Sequence, residues 1–139
     1  MRVFVSYIII SLCSIGFISA QVDKSAKYLS LEPYDFHLQY LRAEPVMLVD
    51  VRQFFEYKGR RIRDAVNIPT SKDLLSRADT MDRKTAFFLY CTDGYRSKRA
   101  AELLYDKGFT LLYNLEGGIV AWKRDGFPVE KGKVRRRRK

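Results

Sequence analysis

The chain has 139 residues, of which 47% are apolar and 30% charged, and a formal net charge of +10 at pH 7. That length suits one domain of ordinary size, and that apolar share excludes a disordered or low-complexity chain. The charge does not mark a nucleic-acid-binding face. Of 26 basic residues, Arg2 lies in an apolar leader and seven lie between Lys131 and Lys139, leaving 18 basic against 16 acidic residues over 21–130, or +2.

Met1-Arg2 makes a short positive start, Val3 to Phe17 is almost wholly apolar, and Ile18-Ser19-Ala20 ends on a small residue. Residues 1–20 therefore read as a secretory signal cleaved after Ala20, which makes the protein an exported one, periplasmic or secreted. An uncleaved helix anchoring the chain to the membrane is the alternative, since this stretch is about long enough to span a thin bilayer. Cys13 falls in the leader, so the mature chain keeps Cys91 alone. One cysteine forms no internal disulfide, and a leftover thiol in an exported protein points to reactivity or to intermolecular pairing.

Residues 21–28 are polar and read as a flexible segment before a domain over 29–130. Leu29-Ser30-Leu31 is expected as a short edge strand. Glu32 to Arg42 is expected as a helix with Pro33 in its first turn, and Tyr34, Leu38 and Leu41 are expected to share its apolar face. Val46 to Val51 is a continuous apolar run interrupted only by Asp50, which fits a strand covered on both faces. Phe54 to Lys58 makes one helical turn or two. Ala65 to Ile68 is a short run ended by Pro69, and Thr70 or Ser71 caps a helix through Leu74 and Leu75. Residues 78–84 form a loop. Thr85 to Tyr90 is a buried strand, Ser97 to Asp106 a helix stopped by Gly108, Leu111 to Tyr113 a short strand, and Ile119 to Arg124 a last helix after Gly117-Gly118. Strands alternate with helices, so the class is α/β, with a central mainly parallel sheet flanked by helices on both faces. Residues 131–139 form a basic tail, read as a solvated arm, with contact to an anionic membrane or an acidic partner as the alternative.

The segment with the most chemistry is Tyr90-Cys91-Thr92-Asp93-Gly94-Tyr95-Arg96-Ser97. A buried strand stops at a thiol, and a tight polar loop leads into a helix. Such a turn aims several backbone N–H groups into one small bowl, beside the positive end of the helix dipole. A cysteine there is expected to ionise readily and to hold an anionic sulfur or oxyanion beside it. Taken alone, the pattern fits an inert buried cysteine equally well; its standing as the sole mature cysteine favours the reactive reading. Asp50 is expected on the same sheet edge, where ligands of such sheets bind. The lone histidine, His37, lies far from Cys91 in sequence and reads as a surface or packing residue. One mature cysteine and one histidine make no metal cluster, and no cofactor is expected.

From about Leu29 to Val129 the chain resembles a single rhodanese domain. The resemblance rests on five blocks in order: Leu48-Val49-Asp50-Val51-Arg52; Glu56-Tyr57, Ile62 and Ala65 to Pro69; Tyr90-Cys91 with Gly94 and Arg96-Ser97; Tyr113 to Ile119 with Ala121-Trp122; and Gly126 to Val129. An exported single domain of this kind is similar to the periplasmic phage-shock sulfurtransferases. The resemblance implies a rhodanese-like fold and a sulfurtransferase. Cys91 would take a sulfane sulfur from thiosulfate or a persulfide and pass it, as a cysteine persulfide, to cyanide or a thiol. A catalytically idle module that binds a partner is the alternative. A phosphatase or arsenate reductase is disfavoured, because those relatives place five residues between cysteine and arginine where Thr92, Asp93, Gly94 and Tyr95 make four.

The same resemblance implies the site. Cys91 is the nucleophile, and Thr92, Asp93, Gly94, Tyr95 and Arg96 supply a cradle of backbone amides. Arg96 either points at an anionic donor or braces the loop against a carboxylate. Asp50 supports the structure, and Arg52 supports it or faces the substrate. Glu56, Asn67 and Trp122 read as structural. Three departures from the family pattern stand out. Arg60-Arg61-Ile62 replaces Gly-His-Ile, Asp64 stands where the family has glycine, and Asp93 puts a carboxylate inside the loop. The cluster of Arg60, Arg61 and Arg63 reads as a solvated turn, with steering of anionic donors as the alternative.

Overall fold

Short apolar runs separated by helix-length segments satisfy both faces of each strand only when helices cover a parallel sheet on its two sides. The computed structural model describes residues 26–132 and has this form. The leader, most of the segment 21–28 and the tail beyond residue 132 lie outside the described residues. The elements are β1 (Leu29–Leu31), α1 (Pro33–Arg42), β2 (Val46–Asp50), α2 (Phe54–Gly59), β3 (Val66–Asn67), α3 (Ser71–Ala78), β4 (Ala86–Tyr90), α4 (Tyr95–Asp106), β5 (Leu112–Leu115) and α5 (Gly118–Arg124). The sheet order is β1-β5-β4-β2-β3, and every neighbouring pair is parallel. Among the described residues no helix is long and apolar enough to cross a membrane.

The central strand β4 is buried at every position. Its alternation divides the core in two. Phe87 and Leu89 face a cluster with Leu74 and Ala78 of α3 and Ala100, Ala101 and Leu104 of α4, and Cys91 continues on that side. Ala86, Phe88 and Tyr90 face the opposite cluster, with Phe36 of α1, Tyr57 of α2 and Ile119 and Trp122 of α5. The register sets Asp50 of β2 beside Tyr90 and Asn114 of β5 beside Leu89. Three strand ends therefore meet around the residue that follows β4.

The expected elements are present, and Leu29–Leu31 is an edge strand. Thr70 caps α3 by accepting the Asp73 N–H at 3.1 Å. Three expectations are corrected. Helix α1 does not bury Tyr34 and Leu41, which are 68% and 66% exposed; its buried residues are Pro33 and Phe36. The aromatic contacts decide this rotation. Phe36 meets Phe88 edge-on at 5.1 Å, and Tyr40, one turn on, meets the same ring at 5.5 Å. Helix α4 begins at Tyr95, two residues early, because Gly94 enters the left-handed region at φ 96° and caps it. Strand β5 runs on to Leu115 because Asn114 and Leu115 pair with Ser30 and Leu31 of β1.

Candidate active site

Cys91 is the first residue past β4 and is fully buried. The chain must turn at once into α4, and Gly94 makes that turn possible. A side chain at Gly94 would bring its Cβ to 3.1 Å from the Leu115 carbonyl, besides the left-handed backbone. The turn delivers the Gly94 N–H to the Cys91 sulfur, with N···Sγ 3.1 Å.

The loop is held from beneath by α5. Ile119 N–H donates to the Cys91 carbonyl at 2.9 Å, and Val120 N–H donates to the Thr92 carbonyl at 3.2 Å. Gly118 permits this approach, since a Cβ there would lie 2.5 Å from the backbone of Cys91 and Thr92. Both carbonyls of the bend are thereby occupied by α5.

Two residues beyond those expected join the site: Ser97 lies beside the sulfur, and Asn114 lies behind Ser97. The Ser97 hydroxyl is 3.5 Å from Cys91 Sγ and donates to Asn114 Oδ1 at 2.6 Å. Asn114 Nδ2 donates to Ser30 Oγ at 3.0 Å. Both residues are fully buried. The available signal is a lone asparagine inside the apolar run Leu111 to Leu115: a buried amide needs partners, and here they are the hydroxyls of Ser97 in α4 and Ser30 in β1.

Asp93 is exposed at the mouth. Its Oδ1 accepts the Tyr95 N–H at 3.1 Å and lies 3.6 Å from Cys91 Sγ. The Tyr95 N–H is the main reason that its carboxyl sits below the usual carboxylate range. The expected cradle of amides from Thr92 to Arg96 therefore lacks the Tyr95 amide. Gly94 serves the sulfur, whereas the Tyr95 amide is captured by the Asp93 side chain, as aspartates in turns capture the N–H two residues on. The Tyr95 ring itself is 66% exposed.

Arg96 braces the loop. Its guanidinium grips Glu56 through Nη1 to Oε2 and Nη2 to Oε1, both at 3.0 Å, and Nη2 also reaches Thr92 Oγ1 at 2.9 Å. The Thr92 hydroxyl donates to Glu56 Oε1 at 2.8 Å. The Arg96 hydrogen bonds come first among the causes that lower the Glu56 carboxyl to about 2. Glu56 thus ties α2 to the cysteine loop.

Arg52 is turned inward. Its Nε and Nη2 bond the Asp50 carboxylate at 3.0 and 2.6 Å, and Nη2 donates to the Arg60 carbonyl at 2.6 Å. Both residues are buried. The Asp50–Arg52 pair supports the ends of β2 and β3, where Asn67 Nδ2 donates to the carbonyls of Asp50 and Arg52; of the two expectations for Arg52, its burial fits the supporting one. The arginine cluster is largely the solvated turn expected, with Arg60 and Arg63 exposed and Arg61 covered. Arg63 pairs with Glu130 at 3.0 Å, and Arg61 lies 3.8 Å from the same carboxylate and 5.0 Å from the Tyr57 ring. Asp64 adopts φ 64°, which accounts for a position where the family favours glycine. His37 packs against the contacting rings of Trp122 and Phe127, 5.5 Å from each, on the far side of the sheet from Cys91.

A groove of about 440 Å³ opens beside the loop, lined among others by Val51, Ile68, Pro69, Leu74, Arg96 and Ala100. Cys91 is not among its lining residues, so the groove flanks the sulfur rather than containing it. Taken together, the site offers one buried thiol under one N–H, a rigid loop, and an ionised carboxylate at the mouth. That arrangement suits covalent chemistry at sulfur, with no histidine base in contact.

The family model described as Rhodanese-like domain matches residues 35–125. An uncharacterized protein of Synechocystis sp. is 40% identical over 97 residues, 69% of this chain and 54% of that protein, so the chain spans about half the length of that relative. A sulfurtransferase of Allochromatium vinosum is 35% identical over 86 residues, which cover 62% of this chain and 79% of that one. Among solved structures, a rhodanese-related protein from Thermoplasma volcanium matches with a TM-score of 0.63 and 30% identity, over 74% of this chain and 98% of that one.

Proposed function

Because the chain belongs to the rhodanese-like domain family, we propose that it is a sulfurtransferase working through a Cys91 persulfide. The Cys91 thiolate attacks the outer sulfur of thiosulfate or of a persulfide. A new S–S bond forms at Cys91, the donor S–S bond breaks, and its electron pair leaves with sulfite or with a thiolate. Cyanide or an acceptor thiolate then attacks the outer sulfur of the Cys91 persulfide. Thiocyanate or a new persulfide departs, and the Cys91 thiolate returns. Charge balances in each half-reaction, and no external oxidant or reductant is needed.

The observation that carries this reading is the Gly94 N–H, 3.1 Å from the buried Cys91 sulfur at the end of the central strand. A hydrogen bond to an ionised sulfur is stronger than one to a neutral group, so this donor serves the anionic sulfur of the free enzyme. Gly118 and α5 hold the loop from below, and Glu56, Thr92 and Arg96 hold it from the side. Ser97 and Asn114 are positioning residues around the sulfur. The four-residue spacing from Cys91 to Arg96 supports sulfur over a tetrahedral oxyanion as the group carried.

Intact mass spectrometry tests the proposal. Treatment with thiosulfate or cysteine persulfide is expected to add one sulfur atom to the wild-type chain. Cyanide removes it, and Cys91→Ser never acquires it. A wild-type chain that gains no sulfur from either donor would instead be an idle partner-binding module.

A further inference from the structure

We propose that Asp93 sets donor specificity, turning the site away from dianionic donors such as thiosulfate and towards singly charged persulfides. The inference rests on the sulfur-transfer reading above and names the substrate class within it.

Three observations carry it. The Asp93 carboxylate lies 3.6 Å from Cys91 Sγ, so its charge acts on anything that approaches the sulfur. The same oxygen takes the Tyr95 N–H, so an amide next to the bend is spent within the loop rather than offered to an anion. The arginines on either side are already committed. Arg96 is held by both oxygens of Glu56, and Arg52 is buried against Asp50 and the Arg60 carbonyl. The charged side chains that hydrogen-bond to the loop are Asp93, Glu56 and Arg96, which sum to one negative charge before a donor arrives. An aspartate is ionised at neutral pH, and the Tyr95 N–H holds the Asp93 carboxyl further below the usual carboxylate range.

The two donor classes meet that charge differently. Thiosulfate brings two negative charges; its outer sulfur joins Cys91 as the S–S bond to sulfite breaks, and sulfite leaves as a dianion. Cysteine persulfide carries one net negative charge and leaves as cysteine thiolate. At about 4 Å, one additional unit of like charge slows approach roughly fivefold even in a water-like dielectric, and more in a drier site.

Asp93→Asn is the test, in the full chain at low salt. The asparagine side-chain oxygen still accepts the Tyr95 N–H, so the turn is kept while the charge is removed. The readout is the ratio of second-order rates of Cys91 persulfide formation, thiosulfate over cysteine persulfide. We expect this ratio to rise at least about fivefold in the variant, and the gain to shrink in roughly 1 M salt, where charges are screened within a few ångströms. A ratio that stays level or falls overturns the inference. Asp93→Ser, whose hydroxyl reaches the same N–H, repeats the test should the first variant fold poorly. Alkylation of Cys91 by iodoacetate and by iodoacetamide, an anionic and a neutral reagent of similar size, reads the same field without sulfur transfer. If neither donor loads the wild-type chain, the sulfurtransferase reading fails, and the alkylation ratio still decides whether Asp93 repels anions.

Discussion

Arg52 and Arg96 each grip one carboxylate with two nitrogens, Arg52 on Asp50 and Arg96 on Glu56. The side chains of the first pair are 6% and 0% exposed, whereas those of the second are 42% and 21% exposed. The chemistry is the same and the consequence is not. Loss of a partner from the buried pair strands a charge where water cannot reach it. Loss of a partner from the outer pair admits water, so its worth in stability is small. The inner pair is therefore architecture that holds the ends of β2 and β3. The outer pair is a tether between α2 and the cysteine loop, and its value lies in where it holds Thr92.

The largest expected effect is at the inner pair. Arg52→Ala should cost about 3–5 kcal/mol in urea denaturation, because Asp50 is left buried and unpaired. A loss below about 1 kcal/mol would erase the distinction between the pairs. The tether should behave in the opposite sense. Arg96→Ala should cost about 1 kcal/mol or less in the same measurement, yet slow sulfur loading of Cys91 about tenfold, since a loosened loop misplaces the attacking sulfur. Loading at the wild-type rate would mean that the brace is dispensable.

The smallest effect is a slope. The Glu56 carboxyl is lowered from 4.5 to about 2 in the folded chain. The stability that this shift contributes is fully present above pH 4.5 and is lost as the pH falls towards 2, where the folded chain must also take up the proton. Glu56→Gln removes that contribution. The wild-type advantage over the variant in urea midpoint should therefore shrink as the pH falls through this window. An advantage that is constant from pH 5 to pH 2 would show that Arg96 does not hold the carboxylate in solution.

Much of the fold was legible because it is written in local patterns. Val46 to Asp50 and Ala86 to Tyr90 are runs that only a doubly covered strand accommodates, and Thr70 and Gly108 punctuate their helices by capping chemistry that acts within a few residues. The cysteine loop was legible for the same reason. A thiol, a glycine and a helix start within six residues leave few ways for the backbone to turn. The α1 face is not legible from its period, which is ambiguous: Tyr34, Leu38 and Leu41 fit one stripe, Phe36 and Tyr40 another. The choice is made by Phe88, an aromatic ring on a strand far along the chain.

The site divides along the same line. Sequence alone determined that Cys91 ends a buried strand and that Gly94 bends the loop after it, since both follow from backbone geometry over neighbouring residues. Only the tertiary structure decided which partners the charges take. Glu56 lies 40 positions from Arg96, Asn114 lies 17 from Ser97, and Arg52 could turn towards the mouth or the core. Side-chain direction and burial set those choices, and both arise only once β2, β4 and β5 stand side by side. Asp93 belongs to both accounts. Its charge is visible in the chain, while its 3.6 Å separation from the sulfur, with both neighbouring arginines already paired, exists only in the fold.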